Sequence, residues 1–212
     1  MVSGYWYWFF QNFIIKPVWW VLIHLTHRVK ISGRENFKNI SGPVLIVSNH
    51  VVFFDSFFIG LALPLFSSLT PLRYMGEYKK FRHWLLEILR KIGIIHFLYW
   101  VMGVFPSHRG EGIEKSIAIP VEILALGGTV VMFPEGMISK IGGLLEFRHG
   151  AAAIAIKSGV KLIPIYIKKN GRNIFMKVGE SFGFGNSGSV TMEEGTKIIR
   201  EKIQALSDAL SA

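Results

Sequence analysis

The sequence predicts an α/β fold: a mixed, mostly parallel sheet flanked by helices, with an N-terminal two-helix membrane-associating segment. Three observations predict it. Short apolar runs such as Val44-Leu45-Ile46-Val47 and Thr129-Val130-Val131-Met132-Phe133 stop at polar residues or Pro, as buried strands do. Stretches of helical spacing lie between these runs, and that alternation is the pattern of βαβ units. The chain has 212 residues, 50% of them apolar, which is enough to bury one substantial core.

The first element is greasy. From Val2 to Leu25 the only charged side chain is Lys16. Tyr5, Trp6, Tyr7, Trp8, Trp19 and Trp20 are aromatics of the kind that settle at headgroup level. One spanning helix is disfavoured. Pro17 interrupts the helical ladder, and a central Lys costs ~2.5–3.5 kcal/mol on insertion scales. The reading is two short helices, roughly residues 4–15 and 17–28, lying in or dipping into one leaflet. His27, Arg28 and Lys30 follow at once, as an anionic lipid surface favours. The competing reading is a buried core helix. There is no basic leader or small-residue cleavage site, so a secretory signal peptide is not expected. Residues 1–30 are thus assigned to a membrane-associating segment and 31–212 to an α/β domain.

The body follows in order. Val44–Val47 is a strand ending at Ser48-Asn49, and Asp55 to Leu63 reads as a helix. Leu72–Met75 is a second strand. Phe81, Trp84, Leu85, Ile88, Leu89 and Ile92 fall on one face, so 79–92 is an amphipathic helix. Residues 94–105 form an apolar run of undetermined type. Glu111 to Leu126 is helical and closes at Gly127-Gly128. Thr129–Phe133 is a strand, Gly150–Ser158 a small-residue helix, and Val160–Ile167 a strand interrupted by Pro164. That Pro places the last strand near an edge or an active-site bend. Ile174–Val178 is a further strand. Thr191-Met192-Glu193-Glu194 is a capping box opening a C-terminal helix.

Charge and composition exclude several classes. The net charge is +10, from 24 Lys+Arg against 14 Asp+Glu, so the chain suits an anionic partner. Its apolar character points to membrane rather than nucleic acid, and no long Lys/Arg run is present. There is no Cys, which excludes thiolate catalysis and Cys-ligated metals. No HExxH, Walker loop or GxSxG occurs, and Gly183-Phe184-Gly185 does not open a dinucleotide-binding unit.

The chain holds two Asp, Asp55 and Asp208. Asp55 follows a strand end in the run Ser48-Asn49-His50-Val51-Val52-Phe53-Phe54-Asp55. A His acting as a base needs a carboxylate to set its tautomer. On an ideal helix a spacing of five turns the two side chains about 140° apart. The pair therefore meets only at a strand-to-helix turn, with His50 in the loop and Asp55 in the first helical turn. A solvated His beside a capping Asp is the plainer alternative, but the apolar loop between them suits a solvated turn poorly. Phe133-Pro134-Glu135-Gly136 offers a second acidic side chain at a strand's carboxyl end, where ligands bind in α/β sheets. Phe105-Pro106-Ser107-His108-Arg109 ends a strand on a bidentate anion donor. Phe147-Arg148-His149-Gly150 opens a helix whose N-terminus suits an anion. His24, His27, His83 and His96 sit in apolar or amphipathic stretches and read as interfacial or packed.

In this order the four blocks resemble the 1-acylglycerol-3-phosphate acyltransferase family, the PlsC-like lysophospholipid acyltransferases. His50-x4-Asp55 resembles its catalytic motif, Gly103–Arg109 its second block, Phe133–Gly136 its third and Leu162-Ile163-Pro164-Ile165 its fourth. The resemblance covers roughly residues 40–170. It implies that His50 is the general base and Asp55 orients it. It also implies that Arg109 and Glu135 position a glycerol-phosphate end, that Gly136 shapes their loop and that Pro164 lies near the acyl-donor channel. The donor it implies is acyl-CoA or acyl-carrier protein, with no other cofactor and no metal. The resemblance also implies a lysophospholipid acceptor and a place at the cytoplasmic face of a membrane. Two departures stand out. Met137-Ile138-Ser139 replaces the family's Thr-Arg-Ser, and His108 replaces an Asp. Lys140 or Arg148 is the candidate for the missing phosphate contact, and Lys79 or Lys80 for a Lys the family carries. Two alternatives stay open: a non-phosphate lipid alcohol or glycolipid acceptor, and a non-catalytic lipid-binding relative.

Overall fold

The computed structural model describes residues 5–38, 40–76, 84–108, 110–139, 143–185 and 190–211. The elements are α1 (Tyr5–Phe10), a π-helical turn (Gln11–Ile15), α2 (Lys16–Thr26), β1 (Arg28–Ser32), β2 (Val44–Ser48), α3 (Asp55–Ala62), β3 (Leu72–Gly76) and α4 (Trp84–Lys91). Then come α5 (Ile94–Met102), β4 (Val104–Pro106), α6 (Ile113–Ala125), β5 (Thr129–Met132), α7 (Gly150–Ser158), β6 (Lys161–Asn170), β7 (Asn173–Val178) and α8 (Met192–Ser211). The seven strands form one sheet in the order β1-β7-β6-β2-β5-β3-β4. Strands β2 to β6 run parallel, while β7 returns antiparallel to β6 and carries β1 parallel to itself.

The central strand β2 shows why the sheet is two-sided. All five of its residues are buried. Val44 and Ile46 pack with Phe58, Ile59 and Ala62 of α3 on one face. Leu45 and Val47 pack with Ala152 and Ile154 of α7 and Ile203 of α8 on the other. A strand covered on both faces reads as continuous grease rather than alternation.

Three expectations change. The helical backbone runs on through Lys16-Pro17 instead of breaking, with both Ile15 and Lys16 in right-handed helical geometry. The wide π turn just before absorbs the Pro: Lys16 N–H bonds to Gln11 O, five residues back. Lys16 itself turns inward, its Nζ donating to Leu63 O at 2.8 Å and Pro64 O at 3.0 Å. Burial, and then the Arg34 charge, lowers its pKa to about 8. Second, Arg28–Ser32 is a strand, so the sheet begins before residue 31. Third, of the edge and the active-site bend that Pro164 offered, the edge is excluded, because β6 lies between β7 and β2. Pro164 is tolerated there because the register against the partner shifts by one residue between Leu162↔Phe182 and Ile165↔Val178. The run 94–105 resolves into helix α5 and the short edge strand β4, and residues 79–83 of the expected helix lie outside the described residues.

The N-terminal helices lie against the body. Gln11 Nε2 donates to Leu72 O at 2.6 Å while Leu72 N–H returns to Gln11 Oε1 at 2.8 Å. Trp19 stacks on Phe57 with ring centroids 3.9 Å apart. The outer faces of these helices stay exposed, Trp6, Phe9, Trp20, Val21 and Leu25 among them. Among the described residues no helix is long and apolar enough to cross a membrane.

Candidate active site

The site forms where β2 ends. The chain leaves the sheet at Ser48, turns through Val51 and Val52, and enters α3 at Asp55. His50 Nδ1 and Asp55 Oδ2 are 2.8 Å apart. The same Oδ2 accepts Val51 N–H at 2.6 Å and Val52 N–H at 2.9 Å, so the turn's own backbone aims the carboxylate at the ring. Asp55 is fully buried, while 19% of the His50 side chain is exposed. Phe133, at the end of β5, stacks on the imidazole at 4.3 Å and 17°. With Nδ1–H donated to Asp55, the lone pair of Nε2 is free to take a proton.

Glu135 lies beneath the His50 loop. Its side chain is 2% exposed. Its Oε2 accepts His50 N–H and its Oε1 accepts Leu145 N–H, both at 3.4 Å. It thus braces the His50 loop against the segment leading into α7. Gly136 makes the turn at φ 68°, where a side chain is strained, and its N–H closes onto Phe133 O at 3.0 Å. Ser139 N–H bonds to His50 O at 2.7 Å, a second tie on the same loop. No separate signal in the residue pattern marks this tie or Asn49, whose buried amide bonds to both backbone groups of Ile167.

Of the other expected residues, Arg148 is exposed, and its N–H bonds to Pro134 O at 2.9 Å, on the loop that carries Glu135. Pro164 is buried inside the sheet in register with Val47, and its ring faces Gly179. Lys79, Arg109 and Lys140 lie outside the described residues. Met137 and Ile138 are exposed beside the site. A partly open space of about 40 Å³ sits elsewhere, between the N-terminal helices and α3, and is lined in part by Gln11, Asn12, Lys16 and Tyr74. Burial raises the Tyr74 hydroxyl above its ordinary range.

Burial also raises the Glu135 carboxyl. The Asp55 charge adds to that push, while the two N–H bonds and His50 pull against it. An acid raised in the fold keeps its proton where the unfolded chain has lost it. The native state then binds more protons, and stability falls as pH rises from the ordinary glutamate value upward. Glu135→Gln removes that slope. In melts from pH 4.5 to about 7, the variant's Tm is expected to gain on the wild type as pH rises. A pH-independent difference would count against the buried carboxyl.

A carboxylate-steered imidazole at a sheet rim is an arrangement able to accept a proton from a bound group. The chain belongs to the acyltransferase family, whose profile matches residues 28–168. It is 31% identical over 188 residues to the chloroplastic 1-acyl-sn-glycerol-3-phosphate acyltransferase LPAT1 of Arabidopsis thaliana, covering 85% of this chain and 46% of that one. It is 24% identical over 155 residues to the 1-acyl-sn-glycerol-3-phosphate acyltransferase of Pseudomonas aeruginosa, covering 73% and 55%. The chain thus spans about half the length of these curated relatives. The crystal structure of PlsC, the 1-acyl-sn-glycerophosphate acyltransferase of Thermotoga maritima, superposes with a TM-score of 0.66 at 21% identity, over 92% of this chain and 78% of that one. That likeness establishes the fold.

Proposed function

We propose that the protein moves a fatty acyl group from an acyl thioester to the hydroxyl of a lysophospholipid, 1-acylglycerol-3-phosphate first among them, giving phosphatidic acid. The observation that carries the reading is the 2.8 Å contact between a buried Asp55 and a partly exposed His50. Family membership and the names of the relatives support it. In the proposed chemistry His50 Nε2 takes the acceptor's hydroxyl proton as that oxygen attacks the thioester carbonyl. The tetrahedral intermediate collapses, the carbon–sulfur bond breaks, and the departing thiolate takes the proton from Nε2. Asp55 balances the imidazolium between these steps. General-base help of this kind is worth ~10²–10⁴ in rate. The donor is acyl-CoA or acyl-carrier protein, and no further cofactor is called for.

The protein's place, in this reading, is the cytoplasmic face of a membrane. The exposed aromatic face of residues 5–26 lies in one leaflet and recruits the lipid substrate. Arg109, Lys140, Lys79 and Arg148 are the proposed phosphate contacts. A second reading is favoured by one observation. Met137 and Ile138 present apolar side chains where the family carries Thr and Arg, which suits a lipid alcohol or glycolipid acceptor. A panel of lysolipid acceptors with one acyl-CoA donor, read by thiol release, separates the two. Lysophosphatidic acid is expected to give the highest turnover. Preference for an uncharged acceptor would select the second reading, and background release with every acceptor would leave only lipid binding.

A further inference from the structure

The basic residues of the chain are not evenly spread, and one group gathers at the end of the sheet that bears His50. Strand β6 runs parallel to β2 and continues past it, with Asn49 paired to Ile167. Lys169 lies two residues on, about 7 Å further along the strand. The chain then turns at Gly171-Arg172, and β7 returns from Asn173, which is in register with Arg28 at the start of β1. Arg28, Lys169 and Arg172 thus meet at one tip although 140 residues of sequence separate them, and all three are exposed. Arg172 also fixes where that tip sits. Its Nε and Nη2 donate to Thr26 O at 2.9 Å and Leu25 O at 3.0 Å, closing the C-terminal carbonyls of α2. Among the described residues no carboxylate pairs with Arg28, Lys169 or Arg172. The charges also act together: burial, then Lys169 and Arg172, hold the His27 imidazole below its ordinary range.

We infer that this tip is a docking surface for anionic phospholipid headgroups, which orients the His50 end of the sheet toward a negatively charged bilayer. The inference rests on the membrane reading proposed above and adds to it a lipid preference and a site. The occupant follows from what adjoins the charges. The tip is joined directly to the exposed apolar face of α2, where Trp20, Val21, Leu22 and Leu25 face outward. A basic cluster beside a grease-covered helix is complementary to an anionic bilayer, in which headgroup charge lies next to hydrocarbon. An acidic protein would match the charges and leave that apolar face uncovered.

The test uses the whole chain with vesicles of phosphatidylcholine alone and of phosphatidylcholine with phosphatidylglycerol. Arg28→Gln with Lys169→Gln removes two charges and leaves the Arg172 cap in place. The wild type is expected to partition much more strongly onto the anionic vesicles and to leave them as salt is raised. The double variant should lose about 10-fold or more of that partitioning, at roughly one lipid-proximal charge per side chain. Its binding to neutral vesicles and its turnover of detergent-dispersed substrate should not change. Equal, salt-insensitive binding of both vesicle types by the wild type overturns the inference and spares the membrane reading; this arm needs no variant to fold. Binding to neither vesicle overturns both. A variant that keeps its vesicle binding but slows with acyl-carrier protein, and not with acyl-CoA, overturns the inference in favour of an acidic protein partner.

Discussion

Asp55→Asn is expected to lower kcat/KM by on the order of 10–10²-fold, and His50→Ala by the full ~10²–10⁴ that a general base supplies. The gap between them follows from how Asp55 is held. In many His–carboxylate pairs an amide replacement turns its NH2 toward the ring, flips the tautomer and removes the base. Here one oxygen, Oδ2, accepts the ring N–H together with Val51 N–H and Val52 N–H. Two backbone donors converge on that position, so an amide must place its oxygen there. The other oxygen, Oδ1, is buried and has no partner among the described residues, and the NH2 takes its place without a competing bond. The tautomer is therefore kept, and what is lost is the charge that balances the imidazolium. Steady-state acyl transfer by wild type, Asp55→Asn and His50→Ala, each checked for fold by circular dichroism, measures the ladder. An Asp55→Asn enzyme as slow as His50→Ala would show that the backbone donors do not hold the amide.

That pair was legible because it is local. Five residues, one apolar turn and one strand end were enough to require His50 in the loop and Asp55 in the first helical turn, and the chain folds that way. The alternation of strands and helices was legible for the same reason, since the period of each buried run is written in consecutive residues. What stayed hidden depends on distant partners. Strand β1 is five residues long, half exposed, and begins two residues after a helix, so its pattern is too short to separate from its neighbour. Pro164 left an edge and a bend both open because the register shift that accommodates it is made by Phe182 and Val178, further along the chain. Lys16-Pro17 read as a break because neither the π turn nor the carbonyls of Leu63 and Pro64 can be seen from the segment itself. The burial of Glu135 was hidden since an acidic side chain at a strand's carboxyl end faces solvent by default. Its burial is set by the His50 and Leu145 amides, 85 and 10 residues away.

Asn49→Leu should cost the most stability of any change near the site without touching the His50 or Asp55 side chains. Strand β2 ends at Ser48 because the chain must depart there to present His50, while β6 runs on beside the gap. Ile167 is left facing that gap with an N–H and a C=O, and both are buried. The Asn49 amide meets both, its Nδ2 donating to Ile167 O at 2.8 Å and its Oδ1 accepting Ile167 N–H at 2.7 Å. It stands in for the backbone rung that the turn removes. Leu fills similar space and supplies neither group, and each stranded backbone group costs about 1–3 kcal/mol. The sum, roughly 2–6 kcal/mol, corresponds to a Tm lower by about 5–20 °C for a chain of this size. Asn49→Asp keeps the acceptor, loses the donor and buries a charge, so it should be no better. Asn49→Gln carries the same amide on a longer arm and should recover part of the loss if it can reach. Thermal melts of the three variants order these cases. A Leu variant within about 2 °C of the wild type would mean that water, not Asn49, satisfies Ile167. Because His50 is the next residue, the same variant should also lose turnover well below its melting point, as the loop that presents the ring loses its anchor to the sheet.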